Sequence, residues 1–178
     1  MSGSGGPADP AALILLAVAA AVTVFVIMEL ARRAKRVVDH RTAVLMVVAG
    51  LCVGGLAIAF AETTGNSPDA VLFSGESAFG SLFGQGSTIT LGTLALLIVF
   101  KGPAWSISLG SFRGGPTFPA LFLGVAAGLM AAHLPGYTET SAIAALTGAA
   151  CVAVIRLPLA SVMIATLLSA KAGLAVTP

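Results

Sequence analysis

A succession of long apolar runs, separated by short polar or glycine-rich breaks, most restricts how this chain can fold. The first run extends from Ala11 to Leu30 and the second from Ala43 to Ala61. Each run is close to the length of roughly 20 residues that an upright helix needs to cross a bilayer. Because the bilayer core offers no water to backbone N–H and C=O groups, such runs must form helices or closed barrels. We therefore predict an all-α, multi-pass integral membrane protein.

Composition agrees with a membrane environment. Charged residues make up 9% of the chain and apolar residues 57%, with a mean hydropathy of +1.03. A soluble domain carries about 25% charged residues, so a soluble protein of this size could not bury so much apolar surface. The net charge of +2 is too small to indicate nucleic-acid binding. We expect membrane lipid as a partner, no nucleic acid, no cofactor, and residence in the plasma (inner) membrane.

The first residues differ from the rest of the chain. They are rich in Gly, Ser and Pro and carry no basic side chain. We expect residues 1–10 to form a disordered tail and residues 11–178 to form the helical transmembrane domain. The apolar run behind the tail is long for the core of a signal peptide, which favours a retained transmembrane helix.

The later apolar runs are shorter, and glycine or proline interrupts several of them. They are Val71 to Phe83, Thr88 to either Phe100 or, past Lys101-Gly-Pro103, Leu109, then Ala120 to His133, Ala142 to Ile155, and Leu159 to Leu168. Transporters use short, interrupted segments where a helix stops inside the membrane and directs its end at a substrate. We predict six to eight membrane-embedded helices of unequal length, at least one of which stops within the bilayer.

Small residues suggest close packing between these helices. Three GxxxG pairs, which let helix backbones approach, occur at Gly50 and Gly54, Gly80 and Gly84, and Gly124 and Gly128.

Cys52 and Cys151 lie inside apolar runs without CxxC spacing, so we interpret both as small buried hydrophobic residues.

The stretch most informative about function is Gly110-Ser-Phe-Arg-Gly-Gly-Pro-Thr-Phe-Pro119, which precedes an apolar helix. Proline is well tolerated in a first helical turn. A helix start leaves backbone N–H groups free and carries partial positive charge, so it can hold an anion. From spacing alone, the stretch is either such an anion site or an ordinary glycine- and proline-rich loop.

Several motifs of the chain, taken in order, resemble a known family. Gly114-Gly-Pro-Thr-Phe-Pro-Ala-Leu-Phe-Leu-Gly124 is similar to the GGxFxP motif in the second half of CLC chloride channels and chloride–proton antiporters. Val99 to Gly110 is similar to the segment that precedes this motif. Ala145 to Ala150 and Val154-Ile-Arg-Leu-Pro-Leu159 resemble the next helix and its "IRAPL" turn. The ordered likeness covers roughly residues 40–170.

The resemblance implies chloride transport by one inverted repeat of a CLC-type fold, in a homodimer and without enzymatic activity. It assigns anion binding to the backbone at Gly115, Thr117 and Phe118. Here Thr117 stands where the family has Phe, and Phe118 is displaced by one position. Pro116 and Pro119 supply no N–H, which reduces the number of donors.

Other family motifs do not occur in this sequence. They are the serine-containing chloride motif, the GxEGP glutamate and the chloride-facing tyrosine near the end. We therefore expect an incomplete transport unit, the second repeat truncated before its last helices. The alternative is a non-transporting fragment or assembly partner of a split membrane protein.

Most ionisable residues have two open interpretations. Glu62 and Asp69 are expected to be solvated, whereas Glu76 could face a pore or lie in a loop. Lys101 and Arg113 could raise the potential near the anion candidate or extend to the interface. We expect the side chains of His133 and Arg156 to lie at helix ends, with Arg156 contacting unpaired carbonyl groups.

Two further questions stay open from sequence. The basic cluster at residues 32–41 favours a cytoplasmic position for the loop behind it, whereas the family topology places that loop outside. Gly75-Glu-Ser-Ala-Phe-Gly80 partly imitates the nucleophile elbow of a serine hydrolase but lacks a glycine two residues after the serine. Since no carboxylate pair or HExxH motif accompanies it, we do not expect an enzyme.

Overall fold

The computed structural model of the chain describes residues 10–38, 42–72, 82, 89–112 and 114–176. Within them lie seven helices with defined bounds and no strand. The helices are α1 (Pro10–Val38), α2 (Thr42–Thr64), α3 (Asp69–Leu72), α4 (Leu91–Phe112), α5 (Thr117–Ala132), α6 (Glu139–Ile155) and α7 (Pro158–Val176). The all-α fold class is confirmed. Of the predicted tail, residues 1–10, residues 1–9 lie outside the described residues, whereas Pro10 is the first residue of α1 and not part of a tail.

The helices differ greatly in length. Three of them, α1, α2 and α4, are long and apolar enough to cross a membrane. Helix α5 has 16 residues and α6 has 17. At about 1.5 Å per residue, α5 reaches only about 24 Å, short of the roughly 30 Å hydrocarbon core. The short length of α5 agrees with the short apolar run, and a helix that stops within the membrane stays a prediction.

Helix α5 is the centre of the fold. Ala120, Phe122, Val125 and Ala126 are fully buried, and α5 packs against α4 and α6. Helix α1 contacts α4 and α6, α2 and α3 contact α4, and α7 contacts α6. A surface helix would present one polar face, whereas α5 is apolar all round because neighbours cover it on nearly every side.

Glycine allows the closest helix contact. A Cβ added at Gly124 would lie 2.6 Å from the Thr147 Cα, and one at Gly128 would lie 2.5 Å from the Ile143 Cα. Backbone contact between α5 and α6 is therefore possible only without side chains there. The GxxxG prediction is confirmed for this pair.

The other GxxxG pairs have different outcomes. A Cβ at Gly50 would meet only the Phe112 ring, at 3.9 Å, and a Cβ at Gly54 would have no neighbour within 4 Å. The prediction of close helix packing is wrong for this pair, because the described part of the chain places no backbone against that face of α2. Gly80 and Gly84 lie outside the described residues.

The two cysteines are separate and reduced. Cys151 is fully buried on α6, as expected, but Cys52 is exposed on α2. The prediction for Cys52 is therefore wrong. A helix face in contact with lipid is as apolar as one in contact with protein, so hydropathy does not distinguish the two.

Several helices extend beyond the apolar runs that predict them. Helix α1 continues through the basic cluster to Val38, and α2 continues through Glu62 to Thr64. Helix α4 runs without a break past Lys101 and Pro103 to Phe112, which confirms the continuation considered from sequence. Polar residues at a helix end can remain helical where they reach out of the hydrocarbon.

Candidate anion-binding site

The connection between α4 and α5 brings the glycine motif to a helix start. Helix α5 begins at Thr117, three residues earlier than the apolar run indicates, with Pro116 as its N-cap. Pro116 has helical backbone angles (φ −84°, ψ −17°) and makes no side-chain cap. The first helical turn therefore receives no hydrogen bond from a capping side chain.

Few backbone N–H groups at the start of α5 remain available for hydrogen bonds to a ligand. The N–H of Ala120 donates to the Pro116 carbonyl oxygen at 3.4 Å, and Pro119 has no N–H. The groups left without an intrahelical acceptor are those of Thr117 and Phe118. Both carry the partial positive charge of the helix N-terminus, so they can bind an anion.

The loop in front of these groups leaves open space. Gly115 is exposed, and a Cβ added there would have no neighbour within 4 Å. Its φ lies outside the left-handed region, so the backbone conformation does not itself require glycine. Thr117 is half-buried and Phe118 is 50% exposed. The three residues assigned from sequence thus lie together beside accessible space.

Lys101 is not at the interface. Its side chain is 1% exposed, and Nζ donates to the Ala70 carbonyl oxygen at 2.5 Å and to that of Val71 at 3.4 Å. Nζ also lies 4.8 Å from the centroid of the Phe122 ring. Both carbonyl groups belong to α3, so Lys101 connects α4 to this short helix. The interpretation that Lys101 extends to the interface is wrong.

A cavity of about 190 Å³ lies behind the glycine loop. It connects α3, α4 and the start of α5, and both Lys101 and Gly115 contribute to its wall. The described lining residues are Val71, Leu72, Lys101, Trp105, Ser108, Leu109, Gly114, Gly115 and Pro119. The sequence did not predict this cavity or a role for Trp105. Lys101 and Trp105 both lie in the segment Val99 to Gly110, which resembles the segment before the family motif.

The remaining candidate residues lie away from the start of α5. Glu62 and Asp69 are exposed, as expected. His133 is exposed after α5, and its Nδ1 lies 2.8 Å from the Leu129 carbonyl oxygen. Arg156 ends α6 in the left-handed region (φ 58°) and caps it through its backbone N–H, which donates to Val152.

Three sequence candidates cannot be placed. Glu76, Arg113 and the elbow-like segment at residues 75–80 lie outside the described residues. The predicted run Val71 to Phe83 is described only at Val71, Leu72 and Leu82.

Comparison with known proteins decides the class. The sequence model of the Voltage gated chloride channel family matches residues 6–177, nearly the whole chain. The chain belongs to this family. Membership agrees with the motif at the start of α5 and with the helical membrane fold, and it makes the protein a multi-pass member of a family of anion transporters rather than enzymes. No curated protein and no solved structure matches the chain, so individual residue roles rest on geometry.

Proposed function

We propose that this chain takes part in chloride transport by a CLC-type channel or antiporter and holds the anion at the start of α5. The observation that carries the proposal is the pair of N–H groups of Thr117 and Phe118. They have no intrahelical acceptor and no side-chain cap, and they lie beside the open space at Gly115. A chloride ion at this position accepts hydrogen bonds from backbone alone.

The surroundings of α5 strengthen this helix start as an anion site. The body of the helix is buried among apolar side chains of α4 and α6, so its direction is fixed. Electrostatic interactions are stronger where the effective dielectric constant is low, and the positive helix end lies at the border of such a region. The anion is thereby stabilised without a covalently fixed opposite charge, which lets it leave again.

Two prolines limit the strength of binding. Pro116 and Pro119 flank the two donors and cannot contribute N–H groups. An ion here receives at most two hydrogen bonds from the first turn of α5 before Ala120, whose N–H is already used. The proposed site is consequently weaker than a helix start with all its donors, unless other groups contribute.

Anion efflux from liposomes tests the proposal. With the protein reconstituted in its native assembly, Gly115→Val should abolish chloride efflux, because it adds a bulky side chain to the exposed loop two residues before the Thr117 N–H. Thr117→Ser keeps both the N–H and the hydroxyl group, so efflux should remain close to wild type. Gly55→Val is the matched control, since Gly55 on α2 also has no neighbour within 4 Å.

The outcomes separate the two candidate functions. Normal efflux through a well-assembled Gly115→Val protein would place the anion path elsewhere. If the wild-type assembly transports no chloride, bromide or nitrate, the chain is a non-transporting assembly partner, as the alternative interpretation of the sequence holds.

We also propose that the chain forms a homodimer through α1 and α7. Helix α7 buries Ser161, Ala165 and Ser169 against the fold and leaves its other face exposed. That face carries large apolar side chains, namely Leu159, Val162, Met163 and Leu167, which are 54–83% exposed. A second copy of the same face can cover them.

A further inference from the structure

The last turns of α1 hold all the charge of that helix. Helix α1 has 29 residues, and its charged side chains lie between Glu29 and Arg36. At about 1.5 Å per residue, α1 is about 43 Å long, whereas the hydrocarbon core of a bilayer is roughly 30 Å thick. The apolar part, from Pro10 to Met28, is itself about 28 Å long. It can fill the core, so the charged end reaches the level of the lipid phosphate groups.

Packing against α4 fixes this charged end in place. Ala31 and Val38 are buried. A Cβ added at Gly110 on α4 would lie 2.7 Å from the Ala31 carbonyl oxygen and 3.1 Å from the Lys35 nitrogen, so the backbones of the two helices are in contact here. The basic side chains are thus presented on a rigid helix, which lowers the entropy lost when a ligand binds.

Positive charge is in excess at this end of α1. The exposed basic residues are Arg32, Arg33, Lys35 and Arg36. Glu29 contacts Arg32, and its Oε1 lies 3.7 Å from the Arg33 Nε. Within the part of the chain that the structure describes, Lys35 and Arg36 form no ion pair. One carboxylate therefore serves four basic groups, and residues 39–41 add one acidic and one arginine side chain, which leaves the excess unchanged.

Three of the basic residues share one face of α1. Arg32 is followed by Lys35 and Arg36 at spacings of three and four residues, which places their Cβ atoms roughly 5–6 Å from that of Arg32. Guanidinium groups match the oxygen atoms of a phosphate group in paired hydrogen bonds. A phosphate group at the bilayer surface can therefore contact more than one of these side chains. A headgroup with net negative charge complements the surface, whereas a zwitterionic headgroup brings a cation of its own.

We infer that the charged end of α1 binds the headgroup of an anionic phospholipid through Arg32, Lys35 and Arg36. The homodimer contact proposed above involves apolar faces, so it does not use these charges. Lipid binding also does not depend on chloride transport and can be measured without it. The competing account is that the basic side chains are solvated and only stabilise the negative end of the α1 dipole.

Electron spin resonance of spin-labelled lipids tests the inference in bilayers that contain the reconstituted full chain. Lipid in contact with protein moves more slowly than bulk lipid, so the spectrum gives the association constant of phosphatidylglycerol relative to phosphatidylcholine. For the wild type we expect a preference for phosphatidylglycerol of at least about ten-fold at low salt. Equal association of the two lipids would overturn the inference.

Variants show whether the preference comes from the end of α1. Arg36→Gln should lower it about five-fold, the effect of one charge near an anionic membrane surface. The triple variant Arg32→Gln, Lys35→Gln, Arg36→Gln should lose it altogether. All three positions are exposed, so these changes spare the packing of α1.

Arg156→Gln is the matched control, because it removes one exposed positive charge from another helix end. Arg156 caps α6 through its backbone N–H, so the cap is kept, and the lipid preference should stay at the wild-type value. A preference that survives in the triple variant, or that falls equally in Arg36→Gln and Arg156→Gln, would contradict a site on α1.

Salt and soluble phosphate separate the remaining outcomes. An increase in ionic strength from about 0.01 M to about 1 M shortens the Debye length from about 30 Å to about 3 Å, so the preference should decline steeply. A preference that does not change with salt would contradict a site based on charge. Millimolar inorganic phosphate at constant ionic strength should leave the labelled lipid bound. Displacement by phosphate would assign the cluster to soluble anions and overturn the inference.

Discussion

At the scale of single residues, the start of α5 depends on backbone atoms rather than side chains. Thr117 and Phe118 provide the two available N–H groups, and prolines lie on either side of them. A side-chain deletion at these positions therefore leaves the donors in place. Only a substitution that removes an N–H tests them directly.

Phe118→Pro removes one donor, and proline is tolerated in the first turn of a helix. Compared with Phe118→Ala, which loses the side chain but keeps the N–H, it should weaken chloride binding by about 1.5–3 kcal/mol, the usual worth of a hydrogen bond to a charged group. Equilibrium binding of chloride to the purified variants, measured by calorimetry, gives the difference. Equal affinities would show that the Phe118 N–H does not contact the ion.

The positions of single residues could be predicted from the sequence only in part. The Gly and Pro residues at 110–119 correctly indicate a helix start, because backbone chemistry alone restricts where they can occur. Lys101 could not be placed in the same way. Its burial depends on α3, whose terminal carbonyl groups accept from its amine, and nothing adjacent in sequence reveals that contact.

At the scale of helices, the contact between α5 and α6 is the tightest in the described fold. Gly124 and Gly128 bring the two backbones together, and Gly110 similarly lets α4 approach α1, where an added Cβ would lie 2.7 Å from the Ala31 carbonyl oxygen. These contacts fix the direction of α5 and hence the position of its first N–H groups.

Gly128→Val should disrupt this arrangement. The new Cβ would lie 2.5 Å from the Ile143 Cα, and backbone cannot move aside as a flexible side chain can. We expect the free energy of unfolding to fall by about 1–3 kcal/mol, the typical cost of overpacking. The apparent melting temperature in detergent should fall accordingly. Gly55→Val adds a Cβ that has no neighbour within 4 Å, so this variant should melt within a few degrees of wild type. Equal melting temperatures of Gly128→Val and Gly55→Val would contradict the close contact between α5 and α6.

Helix bounds could be predicted only in part. The apolar runs identified α1, α2, α4, α5, α6 and α7, because hydrocarbon requires apolar surface on any helix that crosses it. The runs did not show that α1 continues to Val38 or that α5 begins at Thr117. Hydropathy reports how well side chains suit a lipid environment. Helix ends are set by backbone hydrogen bonding, which hydropathy does not report.

At the scale of the whole molecule, large apolar side chains remain exposed on α1, α2 and α7. In a membrane protein such faces contact lipid or another subunit. The exposed face of α7 is the one proposed here for contact with a second copy, and the face of α2 around Val47 is proposed for lipid.

Cross-linking distinguishes these two faces. In a Cys52→Ala background, needed because Cys52 is exposed, a cysteine at Val162 or Ala160 should form disulfide-linked dimers on oxidation. Val47→Cys is the control; Val47 is 64% exposed on α2 and should remain monomeric. If Val162→Cys and Ala160→Cys stay monomeric over a range of protein densities in bilayers, the α7 interface is wrong.

Crystals of the protein grown in bromide show whether the start of α5 binds the transported anion. Anomalous scattering locates bromide, a close substitute for chloride. We expect a peak within hydrogen-bonding distance of the Thr117 and Phe118 nitrogen atoms, near Gly115. A structure in which another group of the protein caps these nitrogen atoms, with bromide bound elsewhere, would contradict it.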